Sequence, residues 1–266
     1  MNTAKEATAA ELKWMVVIPA YNEQATIRPL IESVLQQRPN LLLIVNDASN
    51  DKTSSILQSV NQEMNQAVHD EGFFTVLDNA RNQGKAACLW RGFEQAIAQN
   101  MEVVITMDGD GQHRAEDIPA LLKKHVQQPD KLVIGARQSN LKIQPIGRFL
   151  ANHFANFWIS WAAGYGVTDS QSGFRLYPVS LLKKLGALKN SEGFVFESEV
   201  IIEAAWQGYF TSVVDIPAIY HKNRRASHFK PWQDIKKITR MVARRLLTRR
   251  FNLSDLFAAI TNRPAP

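Results

Sequence analysis

Residues 101–116 read MEVVITMDGDGQHRAE, and this stretch indicates the fold class and the place where chemistry occurs. Its apolar run, Val103–Met107, precedes a glycine-rich segment and predicts a short buried strand. Asp108 and Asp110 follow directly, so two carboxylates stand at the carboxyl end of that strand. Ligands of open α/β sheets bind at this edge. Paired oxygen ligands suit Mg²⁺ or Mn²⁺, although a simple acidic turn would use the same residues.

The composition is that of one globular domain with a sizeable core. The chain has 266 residues, of which 45% are hydrophobic and 21% are charged. The single Cys88 cannot form an internal disulfide, and we expect it to be inert packing in a reducing, cytoplasmic environment. No apolar run reaches the ~20 residues that a membrane span needs. The polar start of the chain also lacks the apolar core of a signal peptide.

The formal net charge of +6 is unevenly distributed along the chain. Residues 222–250 hold eleven basic residues against one acidic residue, Asp234. The basicity is therefore local, which predicts an anionic partner for this segment rather than a general affinity for polyanions.

Hydrophobic periodicity predicts alternating strands and helices over most of the chain. The predicted strands cover residues 14–18, 41–45, 73–77, 103–107, 131–135, 175–177 and 209–216. The predicted helices cover residues 25–37, 51–60, 86–99, 117–127, 145–163, 196–206 and 233–251. This alternation is typical of an α/β fold with a mainly parallel central sheet flanked by helices. The aromatic stripe of residues 149–161 is interpreted as core packing, with an apolar groove as the alternative.

Three parts are predicted: a flexible N-terminal tail over 1–13, a domain over 14–232, and a basic amphipathic C-terminal appendage over 233–266. In the appendage, apolar residues recur at helical spacing beneath basic residues: Ile235, Ile238, Met241, Val242 and Leu246. A helix of this kind can lie in the interface of an anionic membrane. Packing of the same stripe on the domain is nearly as good an explanation and is left open.

Seven motifs, taken in chain order, resemble the inverting family 2 glycosyltransferases, which share the GT-A fold. They are VVIPAYNE (16–23), IVNDASNDKT (44–53), NQGKAACLWRGFEQA (82–96), MDGDGQH (107–113), GAR (135–137), DSQSGFRLYP (169–178) and GFVFESEVIIEAA (193–205). The likeness is greatest to the dolichol-phosphate mannosyltransferase and bacterial polyprenyl-phosphate glycosyltransferase group. It implies transfer of a sugar from a UDP- or GDP-linked donor to a polyprenyl phosphate or related lipid acceptor at the inner face of the cell membrane.

The resemblance also implies a donor site. The nucleotide-sugar-binding residues would be Pro19, Tyr21, Glu23, Asp47, Lys85, Asp108 and Gly109. Asp47 would accept a hydrogen bond from the base, and Lys85 would meet the diphosphate. The divalent metal, Mg²⁺ or Mn²⁺, would be held by Asp108, Asp110 and Gln112. Asn46 and Ala48 stand where the family usually has aspartate and glycine, which leaves the base undecided.

Catalytic roles implied by the resemblance fall to Asp110, Asp169 and Glu197. Asp169 would be a general base if the acceptor is a hydroxyl, or an orienting group if the acceptor is an anionic phosphate monoester. The alternative is that Asp169 has no chemical role and only caps the loop. Glu197 and Glu199 are two residues apart on a predicted helix and should face different directions. The acceptor phosphate would be bound by Arg137, Arg148 and Arg224. Near the last of these, residues 222–228 depart from the family's R-x-x-G-x-S-K segment.

Rival functions remain open from the sequence. The first is a family 2 enzyme that glycosylates a saccharide or lipid hydroxyl. A second, a sugar nucleotidyltransferase on a related sheet, would need a glycine-rich loop ending in arginine after the first strand, and PAYNE (19–23) is not such a loop. A non-catalytic module that binds anionic membranes or nucleic acid is a third. Paired carboxylates gain nothing for polyanion binding, so we expect no nucleic-acid partner. A dehydrogenase is excluded because no G-x-G-x-x-G follows the first strand.

Overall fold

The computed structural model describes residues 12–67, 73–137, 146–188, 195–217 and 231–264. The strands are β1 Trp14–Ala20, β2 Leu41–Asn46, β3 Phe74–Asp78, β4 Val103–Thr106, β5 Leu132–Arg137, β6 Arg175–Pro178 and β7 Thr211–Ile216. The helices are α1 Ile27–Leu35, α2 Thr53–Ala67, α3 Lys85–Ala98, α4 Ile118–Gln127, α5 Ile146–Ala163, α6 Val179–Lys184, α7 Phe196–Trp206, α8 Pro231–Thr248 and α9 Leu253–Ile260.

The seven strands form one sheet in the order β3-β2-β1-β4-β6-β5-β7. β6 runs antiparallel to both β4 and β5, and the other neighbouring strands are parallel. The predicted mainly parallel sheet is therefore confirmed. Helices cover both faces, since alternate residues of β1 enter two different core clusters: Met15 and Val17 one, Val16 and Ile18 the other. Strands buried on both faces read as continuous apolar runs.

Strand register gathers the functional loops at one edge. Val17 of β1 is level with Thr106 of β4, and Thr106 is level with Arg175 of β6. Ala20 at the end of β1 is level with Asn46 at the end of β2. The carboxyl ends of β1, β2 and β4 therefore meet beside the start of β6, which is where such sheets bind ligands.

Two helices differ from the prediction. α6 has six residues and α9 has eight, and both are too short for a hydrophobic period to be recognised with confidence. α9 did carry a local signal, because Asn252 accepts a hydrogen bond from Ser254 N at 2.9 Å and caps the helix. The predicted helix over 233–251 corresponds to α8, which ends at Thr248, and α9 follows it as a second helix.

Helix α8 packs on the domain. Met241, Val242 and Leu246 are buried in the larger core cluster. Arg245 pairs with Glu203 of α7 at 2.8 Å and stacks over the ring of Trp206. Of the two explanations left open for the apolar stripe of α8, the structure favours packing on the domain.

The aromatic helix α5 departs from the predicted core packing. Ile159 and Ala162 are buried, but the Phe154 side chain is 61% exposed.

Cys88 is buried as expected, and burial raises the pKa of its thiol to about 12, with a further contribution from the charge of Asp47. In the described part of the chain, we find no helix that combines the length and apolarity needed to cross a membrane.

Candidate active site

The loops that follow β1 and β2 are tied together by hydrogen bonds. Asn22 N donates to Ser49 Oγ at 2.9 Å, and Asn50 N donates to Asn22 Oδ1 at 2.7 Å. Glu23 N donates to Thr53 Oγ1 at 2.7 Å. These contacts hold loops 19–23 and 46–51 together at the sheet edge. The half-buried Tyr21 and Glu23 therefore lie on a fixed backbone beside the loop that follows β4.

Asp47 is a buried carboxylate that organises the loop before α3. Its Oδ1 accepts from Gln83 N at 2.8 Å and from Asn79 Nδ2 at 2.7 Å. Its Oδ2 accepts from Gly84 N at 2.8 Å. These bonds fix the backbone immediately before Lys85. Asp47 thus has a positioning role that the sequence did not reveal, beside the base contact that the resemblance implies.

Ala48 explains why glycine is usual at its position. Its φ of 56° lies in the left-handed region, which side chains with a β-carbon adopt at about 1–2 kcal/mol. The turn after β2 needs this conformation whatever the residue. The alanine therefore leaves the fold intact, at a local energetic penalty.

Lys85 lies between two carboxylates. Its Nζ is 2.5 Å from Asp108 Oδ1 and 2.7 Å from Glu197 Oε1. Burial works against the charge of Lys85, but the two carboxylates outweigh it and raise the pKa of the ammonium above its usual range. Burial likewise opposes the charge of Asp108, yet Lys85 and His113 hold the pKa of that carboxyl well below its usual range. The cluster is therefore an ionised lysine bound by two carboxylates at the sheet edge.

Gly173 lies against this cluster and brings the loop of residues 169–173 next to it. A β-carbon at residue 173 would lie 2.6 Å from Asp108 Oδ2 and 2.7 Å from Lys85 Nζ. Its carbonyl oxygen also accepts a hydrogen bond from Thr106 Oγ1 at 2.8 Å. A side chain at residue 173 would therefore displace Lys85 or Asp108 from this arrangement. The SGF sequence (172–174) is part of a motif that pointed to this loop. The residues that Gly173 contacts, however, lie far from it in the sequence.

Asp110 carries the second carboxylate of the DGD sequence. It accepts hydrogen bonds from the backbone N–H of Gln112, at 3.0 Å, and from the Gln112 side-chain amide. Burial, and then the charge of Asp108, raise the pKa of Asp110 above its usual range. The charges of His113 and Lys85 oppose this rise only in part, and a bound cation would offset it further.

The carboxylates of the DGD loop suit a metal ion whose coordination shell is completed by the substrate. Among the described residues, no three His, Cys, Asp or Glu side chains are grouped so that they could hold a metal alone. Asp108 and Asp110 offer two carboxylates, and Mg²⁺ is usually bound by one or two carboxylates together with substrate phosphates. Gly109, between them, is buried, and a β-carbon there would lie 3.1 Å from Glu23 Cγ and 3.2 Å from Pro19 O.

His113 is buried beside the DGD loop. Its Nε2 is 3.7 Å from Asp108 Oδ2, and its ring lies 5.3 Å from that of Phe174. These contacts are those of a residue that packs the loop.

Arg137 and Asp169 form a two-pronged ion pair at the end of β5. The Arg137 Nε donates to Asp169 Oδ2 at 3.2 Å, and Nη2 donates to Oδ1 at 3.1 Å. The backbone N–H of Arg137 also donates to Oδ2 at 3.0 Å. Asp169 has a φ of 45°, an uncommon conformation that turns its carboxylate toward β5. Two residues predicted to act on the acceptor are thus in direct contact.

Arg175 is a positioning residue that the sequence did not reveal. Its side chain is fully buried and donates to three carbonyl oxygens: Ser172 O at 2.7 Å, Ser170 O at 2.8 Å and Glu197 O at 2.8 Å. It therefore joins the loop of residues 169–173 to the start of α7. Glu197 faces Lys85 as a result, whereas Glu199 lies 3.8 Å from Arg245, so the two glutamates face different directions as predicted.

Two predicted acceptor residues cannot be placed. Arg224 and the rest of residues 222–228 lie outside the described residues, as does the side chain of Arg148. Of the predicted acceptor-phosphate set, the structure therefore positions Arg137.

Comparison with known proteins agrees with this arrangement. Residues 15–186 match the family Glycosyl transferase family 2. A UDP-N-acetylglucosamine–dolichyl-phosphate N-acetylglucosaminyltransferase of Methanococcus voltae is 27% identical over 213 residues, covering 77% of this chain and 85% of that protein. A polyprenol monophosphomannose synthase of Mycolicibacterium smegmatis is 26% identical over 211 residues, covering 77% of this chain and 76% of that protein.

The fold is also that of a solved enzyme. Glucosyl-3-phosphoglycerate synthase from Mycobacterium tuberculosis, crystallised with Mn²⁺, UDP and glucosyl-3-phosphoglycerate, superposes with a TM-score of 0.65. The match covers 94% of this chain and 86% of that one at 20% identity, and so it bears on the fold alone. The sequence match, the sheet order and the DGD loop at the carboxyl edge lead to one assignment. The chain belongs to glycosyl transferase family 2.

Proposed function

We propose that this chain is an inverting, metal-dependent glycosyltransferase that moves a sugar from a nucleotide-diphosphate sugar to a polyprenyl phosphate or related lipid acceptor. The observation that carries the proposal is the ionised Lys85 between Asp108 and Glu197 at the carboxyl end of β4. The names of the two relatives above, which refer to dolichyl phosphate and to a polyprenol, support this acceptor class. The site then works at the inner face of the cell membrane, where such lipids are met.

In the donor half of the site, Lys85 faces the diphosphate as the sugar departs. Because its pKa is raised, the ammonium keeps its proton and presents a full positive charge to the leaving oxygens. Asp47 holds the loop that precedes Lys85, so it positions the lysine as well as facing the base. Pro19, Tyr21 and Glu23 line the nucleoside. UDP-linked donors are the first to test, because the name of one relative contains UDP.

A divalent metal, Mg²⁺ or Mn²⁺, would be held by Asp108 and Asp110, with Gln112 beside them. When bound, it neutralises the diphosphate and so stabilises the leaving group. The raised pKa of Asp110 supports this role, since a cation would offset the burial and the charge of Asp108 that disfavour its ionised form. Glu197 shares Lys85 with Asp108 and sets the position of the ammonium between them.

In the acceptor half, a phosphate oxygen attacks the anomeric carbon from the face opposite the departing diphosphate. The new carbon–oxygen bond forms as the bond to the nucleotide breaks, and the leaving diphosphate takes the electron pair. A phosphate monoester is already anionic, so the reaction needs no general base. Asp169 instead orients Arg137, whose planar group matches a phosphate. If the acceptor were a hydroxyl, Asp169 would have to act as the base while bound to Arg137, which favours the phosphate acceptor.

Replacing Arg137 with lysine tests the acceptor half. Lysine keeps the charge but loses the fork that contacts both oxygens of Asp169. We expect KM for the polyprenyl phosphate to rise about tenfold, with a smaller change in kcat and none in KM for the donor. Steady-state kinetics with each substrate varied in turn measures the three parameters.

The control for this variant is Arg28→Lys. Arg28 makes an equivalent two-pronged pair with Glu63, at 2.9 Å and 2.8 Å, on the outer surface of α1 and α2. It should leave every kinetic parameter unchanged. Equal KM values for the acceptor in wild type and Arg137→Lys would remove Arg137 from the acceptor site.

A nucleotide-release screen tests the function as a whole. Purified protein is incubated with Mn²⁺ and a panel of UDP- and GDP-linked sugars, with and without a short-chain polyprenyl phosphate. We expect one donor to release its nucleotide diphosphate rapidly and only when the lipid phosphate is present. Release that depends instead on a saccharide acceptor would favour the hydroxyl-glycosylating rival.

A further inference from the structure

Helix α9 presents its apolar stripe outward. Leu253, Phe257 and Ile260 recur at positions i, i+4 and i+7, and their side chains are 76%, 64% and 65% exposed. The most buried residue of α9 is Ala258, which is 5% exposed. A helix on the surface of a globular protein normally buries the apolar stripe and exposes the other face. α9 has the reverse orientation, held by its N-cap and by a hydrogen bond from Gly166 N to Arg263 O.

Aromatic side chains of α5 extend this stripe. Ring contacts run from Phe154 to Trp158 at 5.9 Å, from Trp158 to Trp161 at 5.5 Å, and from Trp161 to Phe251 at 5.9 Å. Phe251 stands two residues before Leu253. We call this the outer apolar surface, which comprises Phe154, Trp158, Trp161, Phe251, Leu253, Phe257 and Ile260. Phe154 and Phe251 are exposed and the two tryptophans between them are half-buried, and exposed apolar patches mark contact sites for partners or membranes.

The C-terminal segment that bears four of these seven residues is strongly basic. Residues 237–264 contain seven Lys or Arg residues and one acidic residue, Asp255, which pairs with Arg249 at 3.0 Å. The net charge of this segment equals the formal +6 of the whole chain. Arg244 and Arg250 are exposed, and Arg250 directly precedes Phe251 in the chain. Two copies of so basic a surface would repel each other, whereas an anionic lipid surface complements both its charge and its apolar centre.

We infer that the outer apolar surface docks the protein on an anionic membrane, with Leu253, Phe257 and Ile260 below the headgroups and Arg244 and Arg250 among them. The inference rests on the proposed function, which supplies the lipid acceptor. The membrane contact is then the exposed stripe of α9, whereas the sequence suggested the stripe of α8, which is buried on the domain. Aromatic side chains such as Trp158 and Trp161 are typical of the headgroup level.

The same helix that meets the membrane also holds the acceptor loop. Asn156 Oδ1 of α5 accepts from Ser170 N at 3.0 Å and from Ser170 Oγ at 2.7 Å. Ser170 is the neighbour of Asp169, which binds Arg137. Docking through α5 and α9 therefore fixes the acceptor half of the site relative to the lipid surface from which the acceptor phosphate comes.

Vesicle sedimentation tests the inference. Wild type and the triple variant Leu253→Ser/Phe257→Ser/Ile260→Ser are mixed with phosphatidylcholine vesicles with or without phosphatidylglycerol. We expect wild type to sediment with the anionic vesicles and the triple variant to bind them at least about tenfold more weakly. The replaced side chains are exposed, so the melting temperature should stay within a few degrees of that of the wild type.

A charge variant supplies a matched comparison. Arg244→Gln/Arg250→Gln should bind anionic vesicles several-fold more weakly, because two headgroup contacts are lost. Lys123→Gln/Lys183→Gln removes the same charge from exposed positions on α4 and α6 and should bind like wild type. If both double variants weaken binding equally, the attraction is general and this surface is not the docking site.

Two further readouts separate the alternatives. The triple variant should keep full activity on a short-chain acceptor in solution and lose activity on a long-chain acceptor held in vesicles. Sedimentation of the triple variant equal to that of wild type would overturn the inference. So would a wild-type dimer in analytical ultracentrifugation that the triple variant abolishes, because the surface would then bind a second copy. A wild type that docks but is inactive on both acceptors would instead refute the proposed function.

Discussion

Replacing Asp110 with asparagine is expected to lower the turnover of nucleotide sugar about 1000-fold, because the metal would lose a charged ligand. The variant should remain folded. Burial and the negative charge of Asp108 disfavour the charged form of the Asp110 carboxylate, and for this reason its pKa is raised. Removing that charge should therefore leave the melting temperature of the metal-free protein unchanged or slightly higher. Lost activity with unimpaired stability is the signature of a functional carboxylate.

The matched control is Asp130→Asn, which removes a carboxylate from an exposed position after α4. It should behave like wild type. Wild-type activity should also disappear in EDTA and return with Mn²⁺ or Mg²⁺. Full turnover by Asp110→Asn, or by wild type in EDTA, would exclude a metal role for the DGD loop.

Replacing Gly173 with alanine is expected to lower activity at least about 100-fold by displacing Lys85 and Asp108. The new β-carbon would lie within 2.8 Å of both Asp108 carboxylate oxygens and of Lys85 Nζ. At least one partner must move, and displacements of about 1 Å at reacting groups reduce rates by two orders of magnitude. Because Lys85 faces the diphosphate in our proposal, KM for the donor should rise while KM for the acceptor changes less.

Gly186→Ala is the control for that substitution. A β-carbon at residue 186 would meet no atom within 4 Å, and this glycine has no positive φ. Its kinetics should match those of the wild type. Wild-type kinetics in Gly173→Ala would show that the lysine–carboxylate cluster is not needed for turnover.

The sequence predicted the sheet and its functional edge because both depend on local patterns. Apolar runs that end in polar, glycine-containing loops placed β1, β2 and β4 correctly, and Asp108 and Asp110 with them. The loops converge because parallel strands end at the same edge. The antiparallel direction of β6 was not read from its four residues, since a short apolar strand carries no information on direction.

What the sequence could not provide were contacts between distant residues. Lys85 and Glu197 were each expected in the site, but their shared ion pair with Asp108 depends on how α7 packs against α3. Arg175 was predicted as a strand residue, and it is one. Its side chain also joins two segments of the site by donating hydrogen bonds to their backbone carbonyls. The outward orientation of α9 was equally hidden, because periodicity identifies an apolar face without saying what it meets.

Identification of the product tests the central claim most directly. The protein is incubated with the donor selected by the screen and a short-chain polyprenyl phosphate, and the product is examined by phosphorus and proton nuclear magnetic resonance. We predict that the phosphate monoester becomes a diester coupled to the anomeric proton, with the anomeric configuration inverted relative to the donor. A monoester that persists while the sugar appears on a hydroxyl or in water would contradict the account.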